Sequence, residues 1–176
     1  MIRFHWLQTD MRSGSGDEPP WAVGESRAAT GNIQLCEHGY HWSPTLFAGL
    51  QYAPGPVACL VEVSDAVDQD ETKGVSRTRK LLAAVNVRRE LQLWVADCAE
   101  HVLPFYESVY PGDNRPRRAI VAARAFANGE IDAAAGAAAY AAGDAARAAA
   151  YAARSWQRAR LDELVLPLLT AQVVAE

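Results

Sequence analysis

The densest group of residues that could do chemistry is the segment CEHGYHW, which starts at Cys36. Its thiol at Cys36 and its imidazoles at His38 and His41 are ligand types of zinc and other transition metals. Their spacing is unlike a CxxC pair and no fourth ligand is obvious, so the sequence predicts no metal and no other cofactor. We expect instead a buried Cys36, a turn at Gly39 and histidines that hydrogen-bond to the backbone near a helix start at Ser43. A zinc-stabilised module that uses the three ligands is the alternative.

A second group lies in a tract where most residues are alanine. Most of the other residues follow one another in steps of three and four, which places them on one helical stripe: Asp132, Gly136, Tyr140, Gly143, Arg147, Tyr151, Arg154 and Arg158. The stripe faces either solvent or a partner. Tyrosine and arginine are favoured contact residues, so the predicted partner-binding residues are Tyr140, Arg147, Tyr151 and Arg154.

The alanines between these residues predict how the helix packs. Alanine has the highest helix propensity, and flat alanine faces let neighbouring helices approach to about 8 Å. The tract therefore predicts a tight helical bundle. Gly143 either joins two helices or is tolerated inside one helix at a cost of about 1 kcal/mol.

The chain of 176 residues changes character near residue 90. Glycine, proline, β-branched residues and short apolar runs alternate before that point, and helical spacing dominates after it. The sequence predicts an α+β fold, with a small mixed β-sheet and a short helix in residues 1–87. An alanine-rich helical bundle follows in residues 88–176, and the two halves pack as one compact unit.

Local patterns place the elements. They predict strands at residues 2–8, 33–36, 57–63 and 75–78, an acidic loop at 65–73, and a short helix capped by Ser43. A long helix starts near Arg88, with Phe105 and Val109 on its apolar side and a kink or break at Pro104. The next helix is capped by Asn114 and ends at residue 127, and the alanine-rich helix stops at Pro167.

Net charge and cysteine content restrict the classes of partner and the cellular compartment that the sequence predicts. The formal net charge of −4 argues against nucleic acid as a partner. Basic residues between Arg77 and Arg89 predict a solvated surface, with an acidic partner or nucleic acid as the alternative. A second basic run starts at Arg115, where Asp113 offsets the unfavourable helix dipole. Three cysteines cannot all pair, and neither a leader nor a long apolar run is present, which predicts a reducing cytoplasm and no membrane.

The helical half resembles a family of immunity proteins. The resemblance rests on CAEHVLP at 98–104, DNRPRRAI at 113–120, AAR at 122–124, NGE at 128–130 and the alanine-rich helix, and it covers about residues 94–164. That family is associated by genomic context with bacterial toxin systems and also occurs in phage and actinobacterial proteins. The resemblance implies that the chain binds and neutralises a protein toxin.

The first half resembles an uncharacterised domain common in phage and prophage proteins. The residues that carry this resemblance are 33–41, the short helix ending in LQY at 50–52, and VACLVEV at 57–63, and it covers about residues 20–97. No activity comes with it.

A looser similarity is to the ADP-ribosyltransferase pattern, at His41, Ser43 and Tyr52-Ala53. That pattern would need an early histidine such as His5 and a late glutamate such as Glu62 or Glu90, and it implies a nicotinamide nucleotide. We expect a non-enzymatic protein-binding protein, immunity-like or a phage-related inhibitor. An enzyme of the ADP-ribosyltransferase type is the alternative.

Overall fold

The computed structural model describes residues 1–14, 17–132 and 154–174, which form an α+β fold as the sequence predicts. Its strands are β1 (Ile2–Leu7), β2 (Ser26–Ala28), β3 (Tyr40–Trp42), β4 (Val57–Gln69) and β5 (Gly74–Asn86). Its helices are α1 (Leu46–Leu50), α2 (Arg88–Val109), α3 (Arg115–Ala127) and α4 (Arg154–Val174). The alanine-rich tract at 133–153, and with it the question of Gly143, lies outside the described residues.

The chain forms two compact units. The first is Met1–Val87 together with Asp162–Glu176, and the second is Arg88–Leu161. The last part of α4 is therefore grouped with the sheet, whereas the sequence-based division assigns all residues after 87 to a helical half. The division into two domains that pack as one unit stays a prediction.

The first unit is built on a hairpin of two long strands. β4 and β5 pair along their length, β1 pairs with the outer edge of β4, and both β2 and β3 pair with β5. Every described strand pair is antiparallel, so the expectation of a mixed sheet is wrong. Parallel pairs need long crossover connections, and the strands of this unit follow one another through turns and loops instead.

Tertiary pairing extends the strands beyond their local signals. Residues 65–69, predicted as loop, continue β4 because they pair with the first residues of β5. The turn is confined to residues 70–73, where the Asp70 carboxylate accepts hydrogen bonds from the backbone N–H groups of Thr72 and Lys73 at 2.7 and 2.8 Å. The predicted strand at 33–36 is wrong, because Gln34 bridges back to His38 and the segment forms a turn.

A backbone bridge brings β1 beside the end of β3. Phe4 of β1 and Ser43, the residue after β3, exchange two hydrogen bonds of 3.0 and 2.8 Å. Since β3 pairs with β5 on its other side, side chains from β1, β3, β4 and β5 share one enclosed side of the sheet. The core on this side consists of Leu7, Trp21, Trp42, Val57, Cys59, Val61, Val63 and Leu81. Thr45 rather than Ser43 caps α1, accepting a hydrogen bond of 3.1 Å from Ala48 N–H.

Pro104 and Pro167, which were predicted to interrupt or end a helix, both lie inside helices. Pro104 lies inside α2, which runs unbroken from Arg88 to Val109. α3 ends at Ala127 as predicted and carries Pro116 in its first turn, and the carboxylate of Asp113 rather than Asn114 caps its first N–H. Pro167 does not stop α4. Buried residues at a spacing of four, Leu161, Val165 and Leu169, stabilise the helix across the exposed proline.

The close packing of Trp42 against Gly74 offers a test of the pairing between β3 and β5. Gly74 lies opposite Trp42 in the pairing of β3 with β5, and a Cβ at this position would overlap the indole ring. We expect Gly74→Ala to lower the free energy of unfolding by about 1–3 kcal/mol, as overpacked cores do, measured by urea denaturation. Gly112→Ala is the control, because no described atom lies within 4 Å of a Cβ placed there. Equal losses in the two variants would contradict the packing.

Candidate functional site

The predicted partner-binding residues fall mostly outside the described part of the chain. This holds for Tyr140, Arg147 and Tyr151, so their role stays a prediction. Arg154 is the first residue of α4 and is exposed.

The cysteine–histidine segment forms the turn that leads into β3. The Nε2 atom of His38 lies 2.7 Å from the carbonyl oxygen of Thr30, and the Nε2 atom of His41 accepts a hydrogen bond of 2.9 Å from the Cys36 N–H. Both imidazoles therefore bond to backbone groups. Within the described ranges, no three histidine, cysteine, aspartate or glutamate side chains are grouped to hold a metal ion.

The expected burial of Cys36 is wrong. Cys36 has a left-handed backbone with φ of 69° at the tip of the turn, and its thiol is exposed. The interaction with the Cys36 side chain raises the pKa of Lys73. Burial, followed by the charges of Lys73 and Arg79, lowers the pKa of His41.

The residues of the ADP-ribosyltransferase similarity lie on different elements of the first unit. His41 belongs to β3, Ser43 is buried in the bridge to β1, and Tyr52 is exposed beyond α1. His5 lies opposite the buried Cys59, whereas Glu62 lies opposite the exposed Ile2. Because side chains alternate along a strand, His5 and Glu62 are on opposite faces of the sheet and cannot line one site.

A charged network joins the helices of the second unit. Asp97 of α2 accepts hydrogen bonds from Arg124 of α3 at 2.6 Å and from Arg160 of α4 at 2.8 Å. Glu100, one turn further along α2, accepts two more from Arg124, at 2.7 and 3.1 Å. The hydrogen bond with Arg124 lowers the pKa of Glu100, and the two carboxylates raise the pKa of Arg124.

A second set of ion pairs joins the end of α2 to the start of α3. The carboxylate of Asp113 accepts hydrogen bonds from Arg115 at 2.6 Å and from the hydroxyl of Tyr106 at 2.7 Å, and this lowers the pKa of Asp113. Arg117 pairs with Glu107 at 2.8 Å. The prediction that Asp113 offsets the basic run is confirmed.

Aromatic side chains add contacts between α2 and α4. The indole N–H of Trp94 donates to the carbonyl oxygen of Gln157 at 2.8 Å. The ring of His101 stacks on that of Trp156, with centroids 4.2 Å apart and planes 11° from parallel. His101 and Glu100 of the CAEHVLP motif therefore contact other helices of the unit.

Two family models match the chain. The first is described as "Domain of unknown function (DUF7666)" and matches residues 1–92, more than half of the 176 residues. The chain belongs to this family. The second is described as "Imm-5 like putative immunity protein" and matches residues 82–159, so this part of the chain is immunity-like. Both matches confirm the resemblances found in the sequence.

Comparison with curated proteins and with solved structures finds no match. The two family matches share residues 82–92, which hold the end of β5 and the start of α2. No helix in the described part of the chain combines the length and the apolar character needed to cross a bilayer.

The sequence missed the exposed apolar end of α2. Phe105 and Val109, predicted on the buried side of the helix, are 73 % and 65 % exposed, and Tyr110 follows them at 55 %. Periodicity identifies an apolar side but does not say which turns are covered, so no sequence signal separates these residues from the buried Val102. We call Phe105, Val109 and Tyr110 the apolar end of α2.

The Glu100–Arg124 pair gives the second unit a dependence on pH. A carboxylate whose pKa is lowered in the folded state stabilises the fold above its unfolded pKa, about 4.3. Stability is therefore lost as pH falls below that value. We expect Glu100→Gln to reduce the drop in unfolding free energy between about pH 5 and pH 3 and to cost under about 1 kcal/mol at pH 7, because the pair is half-exposed.

Urea denaturation at a series of pH values measures this effect. Glu130→Gln is the matched control, because Glu130 is an exposed glutamate beyond the end of α3. A pH profile of Glu100→Gln that superimposes on the profile of the unmodified protein would show that the pair does not contribute.

Proposed function

We propose that the protein binds a protein toxin, or a related phage or prophage protein, and neutralises it without catalysing a reaction. The observation that carries the proposal is the match of residues 82–159 to an immunity-protein family. The complex forms in the cytoplasm, where the three free thiols of the chain stay reduced.

The contacts of the second unit support a division of labour among its residues. Motif residues such as Glu100, His101 and Asp113 bond to neighbouring helices, and they therefore maintain the unit itself. Recognition is left to exposed residues. Interface cores are rich in aromatic and arginine side chains surrounded by apolar contacts.

Two groups of residues have this composition. The first is the predicted stripe, with Tyr140, Arg147, Tyr151 and Arg154. The second is the apolar end of α2, whose three large side chains are each more than half exposed. We propose the stripe as the principal contact, and the apolar end of α2 as an additional one.

The proposal is tested on a candidate toxin that co-purifies with the tagged protein from its native host. Cells that express the toxin should grow when the intact protein is co-expressed, and the two purified proteins should form a stoichiometric complex in size-exclusion chromatography. Toxicity that persists with soluble, folded protein present, together with no complex, would refute the proposed function.

Replacing the four predicted partner-binding residues of the stripe by alanine tests whether the stripe is the contact surface. These residues are Tyr140, Arg147, Tyr151 and Arg154. We expect the fourfold variant to weaken the complex by at least about 100-fold, because central tyrosine and arginine contacts are each worth about 1–4 kcal/mol, and to lose growth protection. Circular dichroism verifies folding. Arg12→Ala with Tyr52→Ala is the control, since both residues are exposed in the first unit. Full protection by the fourfold variant would show that the stripe is not the contact.

A further inference from the structure

Three buried donors in the first unit have no hydrogen-bond partner among the described residues. They are Nε of Arg3, Nε2 of His5 and Nε1 of Trp42. Arginine Nε and tryptophan Nε1 can only donate, and histidine Nε2 donates in one of its tautomers. More than nine in ten buried polar atoms in folded proteins are paired, so three orphans in one unit require an explanation.

The three donors lie on the same side of the sheet. Arg3 and His5 alternate along β1 and therefore share a face, and their partners across to β4 are the buried residues Val61 and Cys59. The guanidinium carbon of Arg3 is 4.9 Å from the centre of the Trp42 ring. The donors thus gather on the enclosed side that the Phe4–Ser43 bridge closes.

Arg79 adds a buried positive charge to this side. It is 3 % exposed, lies opposite Val63 of β4, and donates to the carbonyl oxygen of His41 at 2.8 Å. The prediction that Arg79 belongs to a solvated basic surface is therefore wrong. Its guanidinium also lies 4.5 Å from the ring centre of Trp21 and 5.0 Å from that of Tyr40.

The nearby carboxylates compensate this charge only in part. Glu18 is 3.9 Å from Arg79 and is already bonded to Ser13 and Trp21 and paired with Arg27 at 3.4 Å. Arg27 also holds Glu25, at 2.7 Å. Burial lowers the pKa of Arg79 to about 10, and burial followed by the charge of Arg79 lowers the pKa of His5. Both shifts agree with an enclosed side that is short of negative charge.

The enclosed side therefore lacks a hydrogen-bond acceptor that carries negative charge. An enclosed water molecule would satisfy the donors but would not compensate the buried charge of Arg79. Charge-assisted hydrogen bonds from arginine, imidazole and indole N–H groups to oxyanion oxygens would do both.

We propose that the enclosed side of the first unit binds the oxyanion group of a small molecule, a phosphoryl or carboxylate group, through Arg3, His5 and Trp42, with Arg79 supplying charge. The site uses residues of the first unit only, and it is independent of the protein-binding function proposed for the second.

Calorimetry and thermal unfolding of the full chain test the site with inorganic phosphate, ADP and succinate. At least one of them should bind and raise the unfolding midpoint, since a ligand specific to the folded state stabilises it. The indole N–H proton signal of Trp42, identified by its loss in Trp42→Phe, should move downfield on binding. Phosphate binding indicates a free anion, binding of ADP alone a nucleotide, and binding of succinate alone a carboxylate metabolite.

Matched variants locate the binding. Arg3→Met and Trp42→Phe should each weaken it by about tenfold or more, as the loss of a hydrogen bond to a charged group does. Arg77→Met and Trp94→Phe should leave it unchanged, because those donors bond to backbone carbonyl groups outside the site.

Two results would overturn the proposal. If none of the three compounds binds, the donors are satisfied by enclosed water. If binding is equally tight in Arg3→Met and in the unmodified protein, the ligand occupies another place. Should Trp42→Phe fail to fold, calorimetry of Arg3→Met against the unmodified protein and the Arg77→Met control still decides between these outcomes.

Discussion

Two backbone hydrogen bonds between Phe4 and Ser43 determine the character of the first unit. They place β1 next to the end of β3, so side chains on the enclosed side lose contact with water. Each polar group there must find a partner within the protein, at a cost of about 1–3 kcal/mol where it does not. Trp21 lies against two charged groups of this unit, with its ring centre 4.1 Å from the guanidinium carbon of Arg27 and 4.5 Å from that of Arg79.

The second unit is held together in a different way. Among the described residues, the buried cluster shared by α2 and α3 consists of Ala96, Leu103, Ile120 and Ala123. Small side chains allow close approach but remove little apolar area from water. The network centred on Asp97 compensates for this, because one carboxylate orders arginines from two helices at once. Each exposed pair alone would contribute little.

Local sequence signals predicted the structure correctly where the conformational preference of a single residue determines it. The proline in the first turn of α3 and Gly129 after its end, with φ of 74°, mark that helix correctly. Local signals failed where pairing with a segment distant in sequence determines the structure. Residues 65–69 become strand only through β5. Reading residues 74–86 as one strand would have revealed Arg79, because the alternation that buries Leu81 also turns Arg79 inward.

The same alternation bears on whether the enclosed side could support catalysis. Acid–base chemistry needs a group that takes up or releases a proton at the reacting atom. Glu62 faces away from His5, and Glu18 is occupied by Ser13, Trp21 and Arg27. Burial and the charge of Arg79 oppose protonation of His5. The groups named on this side of the sheet can therefore donate hydrogen bonds and supply positive charge.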